Sequence, residues 1–271
     1  MKIAFIGGGN MATALIAGLV KDGASTTQVH VVDRNPEALE RLAALYGATT
    51  AGAIDAAVGA ADVIVLAVKP QQMRDVAAEL APRLTQGPLV LSIAAGIRGA
   101  DLSRWLGGHG AIVRAMPNTP ALIGMGITAL VALPGVRGDQ RAAADSVLRA
   151  VGQTVWLDDE ALIDPVTAVS GSGPAYVFYF LEAMQAAAGE MGLSAEQGRQ
   201  LALATFAGAT QLAAASDESL ELLRQRVTSK GGTTHAAISS METAGVKAAI
   251  VDAMKAAAAR GRELGDELGS A

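Results

Sequence analysis

Lys2-Ile-Ala-Phe-Ile-Gly-Gly-Gly-Asn-Met-Ala-Thr13 decides how the first half of this chain is read. Ile3 to Ile6 is an apolar run long enough for a buried strand. Three glycines follow, and Ala14, Leu15, Ile16, Leu19 and Val20 then recur at helical spacing. Strand, glycine-rich turn and helix, in that order, are the context a dinucleotide fingerprint needs. Gly7 makes the tight turn, Gly9 lets backbone approach a pyrophosphate, and Ala12 stands in for the third glycine where helix and strand pack closely. The phosphates would rest on unpaired amides at the helix start, where the dipole favours negative charge. A plain strand-to-helix turn is the alternative reading.

Working outward, Gln28-Val-His-Val-Val32 is a second strand that ends at Asp33-Arg34-Asn35-Pro36. The end of such a strand meets the adenosine ribose. Asp33 suits a free 2′-hydroxyl, as in NAD; Arg34 suits a 2′-phosphate, as in NADP. Pro36 opens a helix carrying Leu39, Leu42 and Leu45, with Gly47 as its stop. Asp62 to Val68 is a β-branched run of the kind buried on both faces. Gly87 to Gly96, Ala111 to Met116, Gly126 to Leu133 and Gln153 to Leu157 supply further strands. Between two of them, Pro117 and Pro120 point to an extended loop rather than a helix. Repeated strand–helix alternation predicts a doubly wound, Rossmann-like parallel sheet.

Beyond Asp158 the texture changes to apolar positions at helical spacing, through Val177-Leu181-Met184, Leu201 to Leu212 and Val246 to Ala258. Ser194 and Ser216-Asp217 read as helix starts, Gly192 and Gly245 as stops. The fold class expected is therefore α/β: a dinucleotide-binding domain over residues 1–159, then an all-helical domain over 160–271. The apolar surface of the second domain is generous for its size, which points to completion by a second chain; a compact monomeric bundle is the other reading.

The chain has 271 residues, 51% hydrophobic, 17% charged and 3% aromatic, with a net charge of −5 and no cysteine. A large core is available, disulfides and thiolate chemistry are excluded, and the absence of a basic run argues against nucleic acid. No basic leader precedes a long apolar segment, and no window approaches a membrane span, so the protein is expected in the cytoplasm, away from membranes. His30, His109 and His235 lack metal-ligand spacing, and no metal is expected.

Two polar glycine-rich stretches stand out in the second half. Ser170-Gly-Ser-Gly-Pro-Ala175 reads most simply as a loop with a hydroxyl cap and an early proline. Thr228-Ser-Lys-Gly-Gly-Thr-Thr234 precedes a helix, and its bare amides at Gly231 and Gly232, with hydroxyls at Ser229, Thr233 and Thr234, make a pocket for a carboxylate. An elaborate N-cap is the competing account. No Ser–His–Asp or paired-carboxylate pattern is present. Carbonyl reduction calls for a proton donor to the nascent alkoxide. Hydride transfer to a protonated imine discharges a cation and can rest on positioning. The residues fit the second chemistry.

Taken together, Phe5 to Ala12, Ala67-Val-Lys-Pro70, Ser92-Ile-Ala-Ala-Gly96, Arg114-Ala-Met-Pro-Asn-Thr-Pro120, Ser170 to Tyr176 and Ser229 to Thr234 resemble the pyrroline-5-carboxylate reductase family over nearly the whole chain. The resemblance implies NAD(P)H-dependent reduction of 1-pyrroline-5-carboxylate, a cyclic imino acid, to L-proline, closing proline biosynthesis. It implies a homodimer through the helical domain and a decamer beyond it. Ile6, Gly7, Gly8, Gly9, Asn10 and Met11 would hold the pyrophosphate, and Arg34 would meet the 2′ position, favouring NADP(H) over NAD(H). Ala67, Val68, Lys69 and Pro70 would line the ribose side; Ile93, Ala94 and Ala95 would lie beside the nicotinamide. Ser229, Gly231, Gly232 and Thr234 would grip the substrate carboxylate. Glu160 matches a position near the ring nitrogen, with an exposed helix-start carboxylate as its alternative. Lys230 stands where many members have proline, and Ile54 where an asparagine is expected.

Two rivals remain. A β-hydroxyacid dehydrogenase shares the plan but looks for a lysine, with an asparagine a turn later, on the first helix of the second domain; Ala175 to Ala183 holds neither. A non-catalytic dinucleotide sensor would need the cofactor residues but not the Ser229 to Thr234 pocket.

Overall fold

The computed structural model describes residues 1–21 and 28–270. Among them, β1 (Lys2–Ile6), β2 (Gln28–Val32), β3 (Thr49–Ala51), β4 (Val63–Leu66), β5 (Leu89–Ser92), β6 (Ile112–Met116), β7 (Gly126–Ala132) and β8 (Gly152–Trp156) form one sheet in the order β3-β2-β1-β4-β5-β6-β7-β8. The pairings are parallel except β6 with β7. The exception follows from chain length. A parallel neighbour needs a long crossover, whereas β6 and β7 are joined by little more than a 3-10 turn, Thr119–Ile123. That turn corrects the expectation of an extended loop: Pro120 enters at the helix start, where its missing amide removes nothing, and Gly124, at φ 73°, ends it.

Six helices accompany the strands: α1 (Asn10–Lys21), α2 (Pro36–Tyr46), α3 (Ala56–Gly59), α4 (Met73–Leu80), α5 (Gly99–Trp105) and α6 (Gly138–Arg149). Alternation along the central strands divides the core in two. Ile3, Phe5, Val63 and Val65 join Leu15, Ile16 and Leu19 of α1 and Val147 and Leu148 of α6. Ala4, Ile6, Ile64 and Leu66 face the other way, onto Met73, Ala77 and Leu80 of α4 and Leu102 of α5. The sheet is thus covered on both faces, and the loops at the carboxyl ends of β1, β2, β4 and β5 share one edge.

After β8 come a 3-10 turn (Glu160–Leu162), α7 (Ile163–Val166), a π-helical turn (Thr167–Gly171), α8 (Gly173–Glu190), α9 (Ala195–Ala214), α10 (Leu220–Arg226), α11 (Thr233–Thr243) and α12 (Val246–Ser270). Two expectations are corrected here. Ser170 to Ala175 is no loop: Ser170 Oγ donates to Val166 O at 3.2 Å inside the π turn, and the chain runs into α8. α10 starts at Leu220, capped by Ser219, while Ser216 Oγ accepts from the Glu218 amide in a separate turn. The other punctuation is as read. Ser194 and Gln197 form a reciprocal capping box, and Gly192 and Gly245 take φ of 93° and 70°.

By contacts the chain forms two compact units, Met1–Ser172 with Ala256–Ala271, and Gly173–Lys255. In the second unit α8 and α9 cross closely: a Cβ on Gly198 would lie 2.9 Å from Ala188 Cβ, and Phe180 meets Phe206 at 6.1 Å between ring centroids. Ala188, Gly198 and Ala202 are nevertheless the only buried residues of that unit among those described. No helix among the described residues is long and apolar enough to cross a membrane.

Candidate active site

The glycine turn after β1 divides its work residue by residue. Gly7 sits at φ 103°, and a Cβ there would lie 2.6 Å from Ala67 O, so both backbone and packing demand glycine. The Gly8 amide is spent on Asp33, whose Oδ2 accepts it at 2.6 Å while Oδ1 accepts the Asn35 amide at 2.8 Å. Gly9 differs: a Cβ would meet no protein atom within 4 Å. Past it, the next amide with a backbone acceptor outside regular helix pairing is Thr13, on Gly9 O at 2.9 Å. The amides from Gly9 to Met11, where α1 opens, thus have no backbone acceptor among the described residues, and Ala12 is 1% exposed against the core. A diphosphate fits this cradle: donors without acceptors, at a helix start, beside a glycine that packing does not require.

Beside the turn lies a cleft of about 310 Å³. Ile6, Gly7, Val32, Asp33 and Arg34 line it from the ends of β1 and β2. Val68, Gln72, Asp75, Val76 and Glu79 line it from the segment after β4, and Gly52, Ala53 and Ile54 from the segment after β3. Of the expected cofactor residues, the cleft collects Ile6, Gly7, Arg34 and Val68. The wall formed by Gln72, Asp75, Val76 and Glu79 was missed from sequence, yet its signal is there: spacing of three, four and seven places these side chains on one helix face. Ile54 is 8% exposed and closes the cleft with an apolar surface where an asparagine was expected. Arg34 is exposed and has no ion pair among the described residues.

The remaining cofactor candidates lie along the same sheet edge. The Ala67 amide bonds Ile6 O at 2.8 Å, and Lys69 is exposed ahead of the 3-10 turn Pro70–Gln72. At the end of β5 the Ile93 amide bonds Leu66 O at 3.2 Å, and buried Ser92 accepts from the Ala94 amide through Oγ at 3.4 Å. Ile93, Ala94 and Ala95 are followed by Gly96, at φ 71°.

Glu160 is neither free nor simply exposed. Its Oε1 accepts from Arg114 Nη1 at 2.5 Å and from the Gly99 amide at 2.6 Å. The Arg114 side chain is 6% exposed and that of Glu160 35%, so the pair is half sheltered. A buried guanidinium needs a counter-charge, and Glu160 supplies it. Arg114, on β6, entered the sequence reading only within Arg114 to Pro120, one of the stretches that carry the family resemblance.

In the helical unit, the loop from Ser229 to Thr234 prepares α11. Gly231 takes φ 76°, and the Gly232 amide bonds Ser229 O at 3.0 Å. A Cβ on Gly232 would lie 2.6 Å from Ser229 Oγ. Gly232 is the N-cap of α11 and brings no side chain to the first helical amides. Thr234 is partly buried, and its hydroxyl makes no hydrogen bond among the described residues, whereas Thr228 Oγ1 donates to Arg224 O at 2.6 Å. The elaborate N-cap considered from sequence is therefore absent: the hydroxyls do not cap the helix.

A Rossmann-type sheet with an open diphosphate cradle, followed by helices that cannot close their own core, defines a nicotinamide-dinucleotide oxidoreductase that oligomerises through its helical domain. A family model described as pyrroline-5-carboxylate reductase dimerisation matches residues 160–264, and one described as NADP oxidoreductase, coenzyme F420-dependent, matches residues 2–96. The chain is 46% identical over 268 residues to a pyrroline-5-carboxylate reductase of Pseudomonas aeruginosa, covering 99% of this chain and 98% of that one. A solved pyrroline-5-carboxylate reductase from Coxiella burnetii superposes with a TM-score of 0.91 at 40% identity, covering 97% of each chain. The Plasmodium falciparum pyrroline carboxylate reductase, solved with NADP bound, gives a TM-score of 0.86 at 27% identity, covering 98% of each. The chain belongs to the pyrroline-5-carboxylate reductase family.

Proposed function

We propose that this chain reduces the C=N bond of 1-pyrroline-5-carboxylate to give L-proline. The observation that carries the substrate assignment is the start of α11. A glycine at positive φ and a side-chain-free N-cap leave amides and the Thr234 hydroxyl without acceptors, which suits a carboxylate. Family membership and the lack of lysine on α8 disfavour a β-hydroxyacid dehydrogenase, and this loop disfavours a dinucleotide sensor.

The two units divide the work. Ile6 to Met11 shape the diphosphate cradle, whose free amides are those of Gly9 to Met11 because the Gly7 and Gly8 amides are held by Val32 O and Asp33. Ala67 to Pro70 and Ile93 to Ala95 shape the ribose and ring sides with small or apolar residues. The bound dinucleotide supplies the hydride. Ser229, Gly231, Gly232 and Thr234 hold the substrate carboxylate. A protonated imine that accepts hydride becomes a neutral amine, so no side chain is asked to deliver a proton in that step. Orientation supplies the rate. Glu160 keeps Oε2 available toward the ring nitrogen, with Oε1 fixed by Arg114 and Gly99.

NADPH is the proposed donor, because Asp33 is engaged in holding Gly8 and Asn35 while Arg34 has no ion pair among the described residues. Arg34→Ala should weaken NADPH by about 1.5–3 kcal/mol and NADH far less, the size of a charge-assisted contact. Equal losses for both dinucleotides, measured by fluorescence titration, would return the decision to Asp33.

Residues 1–159 are assigned to dinucleotide binding and 160–271 to substrate binding and dimerisation. The assembly is proposed to be a homodimer, further joined into a decamer, in the cytoplasm, with no nucleic-acid or membrane partner. An apolar groove of about 410 Å³, between Tyr176, Tyr179 and Phe180 of α8 and Val246, Ile250 and Met254 of α12, is assigned to the second copy. The test of the reaction is NADPH absorbance with and without 1-pyrroline-5-carboxylate, with the product identified as L-proline; no substrate-dependent oxidation with either dinucleotide would sink it.

A further inference from the structure

The last turns of α12 carry glycine at every fourth position, Gly261, Gly265 and Gly269, with Leu264 and Leu268 on the same face. This bare face lies tightly on the sheet unit. A Cβ on Gly265 would come 3.1 Å from Arg98 Nε, and one on Gly261 3.2 Å from Asp164 Oδ1; one on Gly269 would collide with the Asp101 carboxylate. The two leucines reach Gly96, whose own Cβ would lie 3.3 Å from Leu264 Cβ and from Leu268 Cδ1. Polar ties reinforce the contact. Arg98 Nη2 donates to Asp266 Oδ1 at 2.7 Å, and Arg104 Nη2 donates to Gly269 O at 2.9 Å.

The segment so gripped begins at Gly96, directly after Ile93, Ala94 and Ala95. Its next residues are held from another side, where Glu160 takes the Gly99 amide at 2.6 Å. A strand end needs no such fastening to fold, since β5 is already paired on both sides by β4 and β6. We infer that the end of α12 is a positioning strap: Leu264, Leu268 and the Asp266–Arg98 pair fix the backbone of Ile93 to Ala95 at the distance hydride transfer requires. The inference rests on the reading of those three residues as the wall beside the nicotinamide. Displacing a reacting group by about 1 Å lowers rates on the order of 100-fold, so a wall without a strap loses rate before it loses ligand.

The Asp266–Arg98 pair separates positioning from stability, because its side chains are 70% and 46% exposed and such pairs stabilise little. Asp266→Arg, the swapped pair Arg98→Asp with Asp266→Arg, and a chain ending at Arg262 are assayed for kcat, NADPH affinity and Tm. Leu148→Ala, in the opposite core, serves as a stability control whose kcat should match wild type well below its Tm. The expected result is a fall of about 5- to 20-fold in kcat for Asp266→Arg and about 100-fold for the shortened chain, with NADPH affinity within about twofold and the swap restoring most of kcat. Wild-type kcat in Asp266→Arg, no recovery in the swap, or a loss of NADPH affinity that parallels kcat would overturn the strap. Should the shortened chain fail to fold, the swap decides alone. Ala94→Leu tells the two ideas apart: if it leaves kcat and NADPH affinity unchanged, the wall assignment falls and the inference with it. If it inactivates while Asp266→Arg is fully active, the strap alone falls.

Discussion

The sheet unit and the helical unit are built from equally apolar sequence, yet they bury it in opposite ways. Around the sheet, Phe5, Leu15, Ile64, Leu66, Leu80 and Leu91 are each fully enclosed. In Gly173–Lys255, Phe178, Tyr179, Leu201, Leu212 and Leu220 are between 57% and 74% exposed, and what is buried is alanine and glycine. Enclosing one large apolar side chain contributes about 1.5–3 kcal/mol. The first unit collects that gain within itself. The second can collect it only against another chain, in keeping with the dimerisation match over 160–264.

Charging the exposed face of the helical unit should therefore have the largest effect. Phe178→Asp with Leu212→Asp should convert the assembly to monomers and remove activity, with helical circular dichroism falling more than the sheet signal. The check is light scattering coupled to size exclusion. An unchanged mass would mean those side chains are ordinary surface and the contrast between units is overstated.

In the sheet unit the sharpest test uses neighbouring glycines. Gly9→Val should weaken NADPH at least 100-fold with Tm within a few degrees of wild type, since a side chain there meets no protein atom. Gly7→Val should fail as a fold, because positive φ and the Ala67 carbonyl both forbid it. Fluorescence titration and thermal melts distinguish them. Tight NADPH binding by Gly9→Val would reduce the stretch to a turn.

That pair also shows how far the sequence could be read. Strand, glycine turn and helix were legible because period-two burial, glycine at positive φ and helical spacing each leave a local mark. β3 was not, since Thr49–Ala51 is three residues long with two of them exposed, and only its pairing to β2 makes it a strand. The π turn at Thr167–Gly171 was missed because glycine and serine read locally as loop, while α8 behind it carries the helix through. The glycine turn after β1 and the Ser229 to Thr234 loop were legible as glycine-rich backbone running into a helix start. The Glu160–Arg114 pair was not: forty-six residues separate its partners, and burial of an arginine has no local sign.

Within the helical unit, function should be separable from assembly at the loop before α11. Thr234→Ala should remove one hydrogen bond to a charged group, about 1.5–3 kcal/mol or roughly 10- to 150-fold in kcat/KM. The loss should be smaller for a cyclic imine without the carboxylate, with NADPH affinity and assembled mass unchanged. Steady-state kinetics on both imines decide. Equal losses would remove the carboxylate assignment, and a changed mass would assign the loop to assembly.

The smallest effect compares one polar contact from each unit. In the sheet unit, Asp145 Oδ1 accepts from Thr154 Oγ1 at 2.7 Å and Trp156 Nε1 at 3.1 Å, and Oδ2 accepts from Arg149 at 2.5 Å. Burial pushes this carboxyl up, but the three hydrogen bonds outweigh it and leave the pKa below the ordinary 3.8. A carboxylate with a depressed folded pKa stabilises fully above its unfolded value, and the contribution disappears as pH falls through the folded one. Asp145→Asn should therefore lose about 1–2 kcal/mol at pH 7, and the gap to wild type should shrink steadily below about pH 4. In the helical unit Glu242 pairs with Arg224 at 2.9 Å, with side chains 62% and 44% exposed. Glu242→Gln should change stability by less than about 0.5 kcal/mol at pH 7, as water already solvates both partners. Thermal melts of the two variants from pH 3 to pH 7 make the comparison. A gap for Asp145→Asn that stayed constant with pH would mean the side chain acts by its shape and not by its charge.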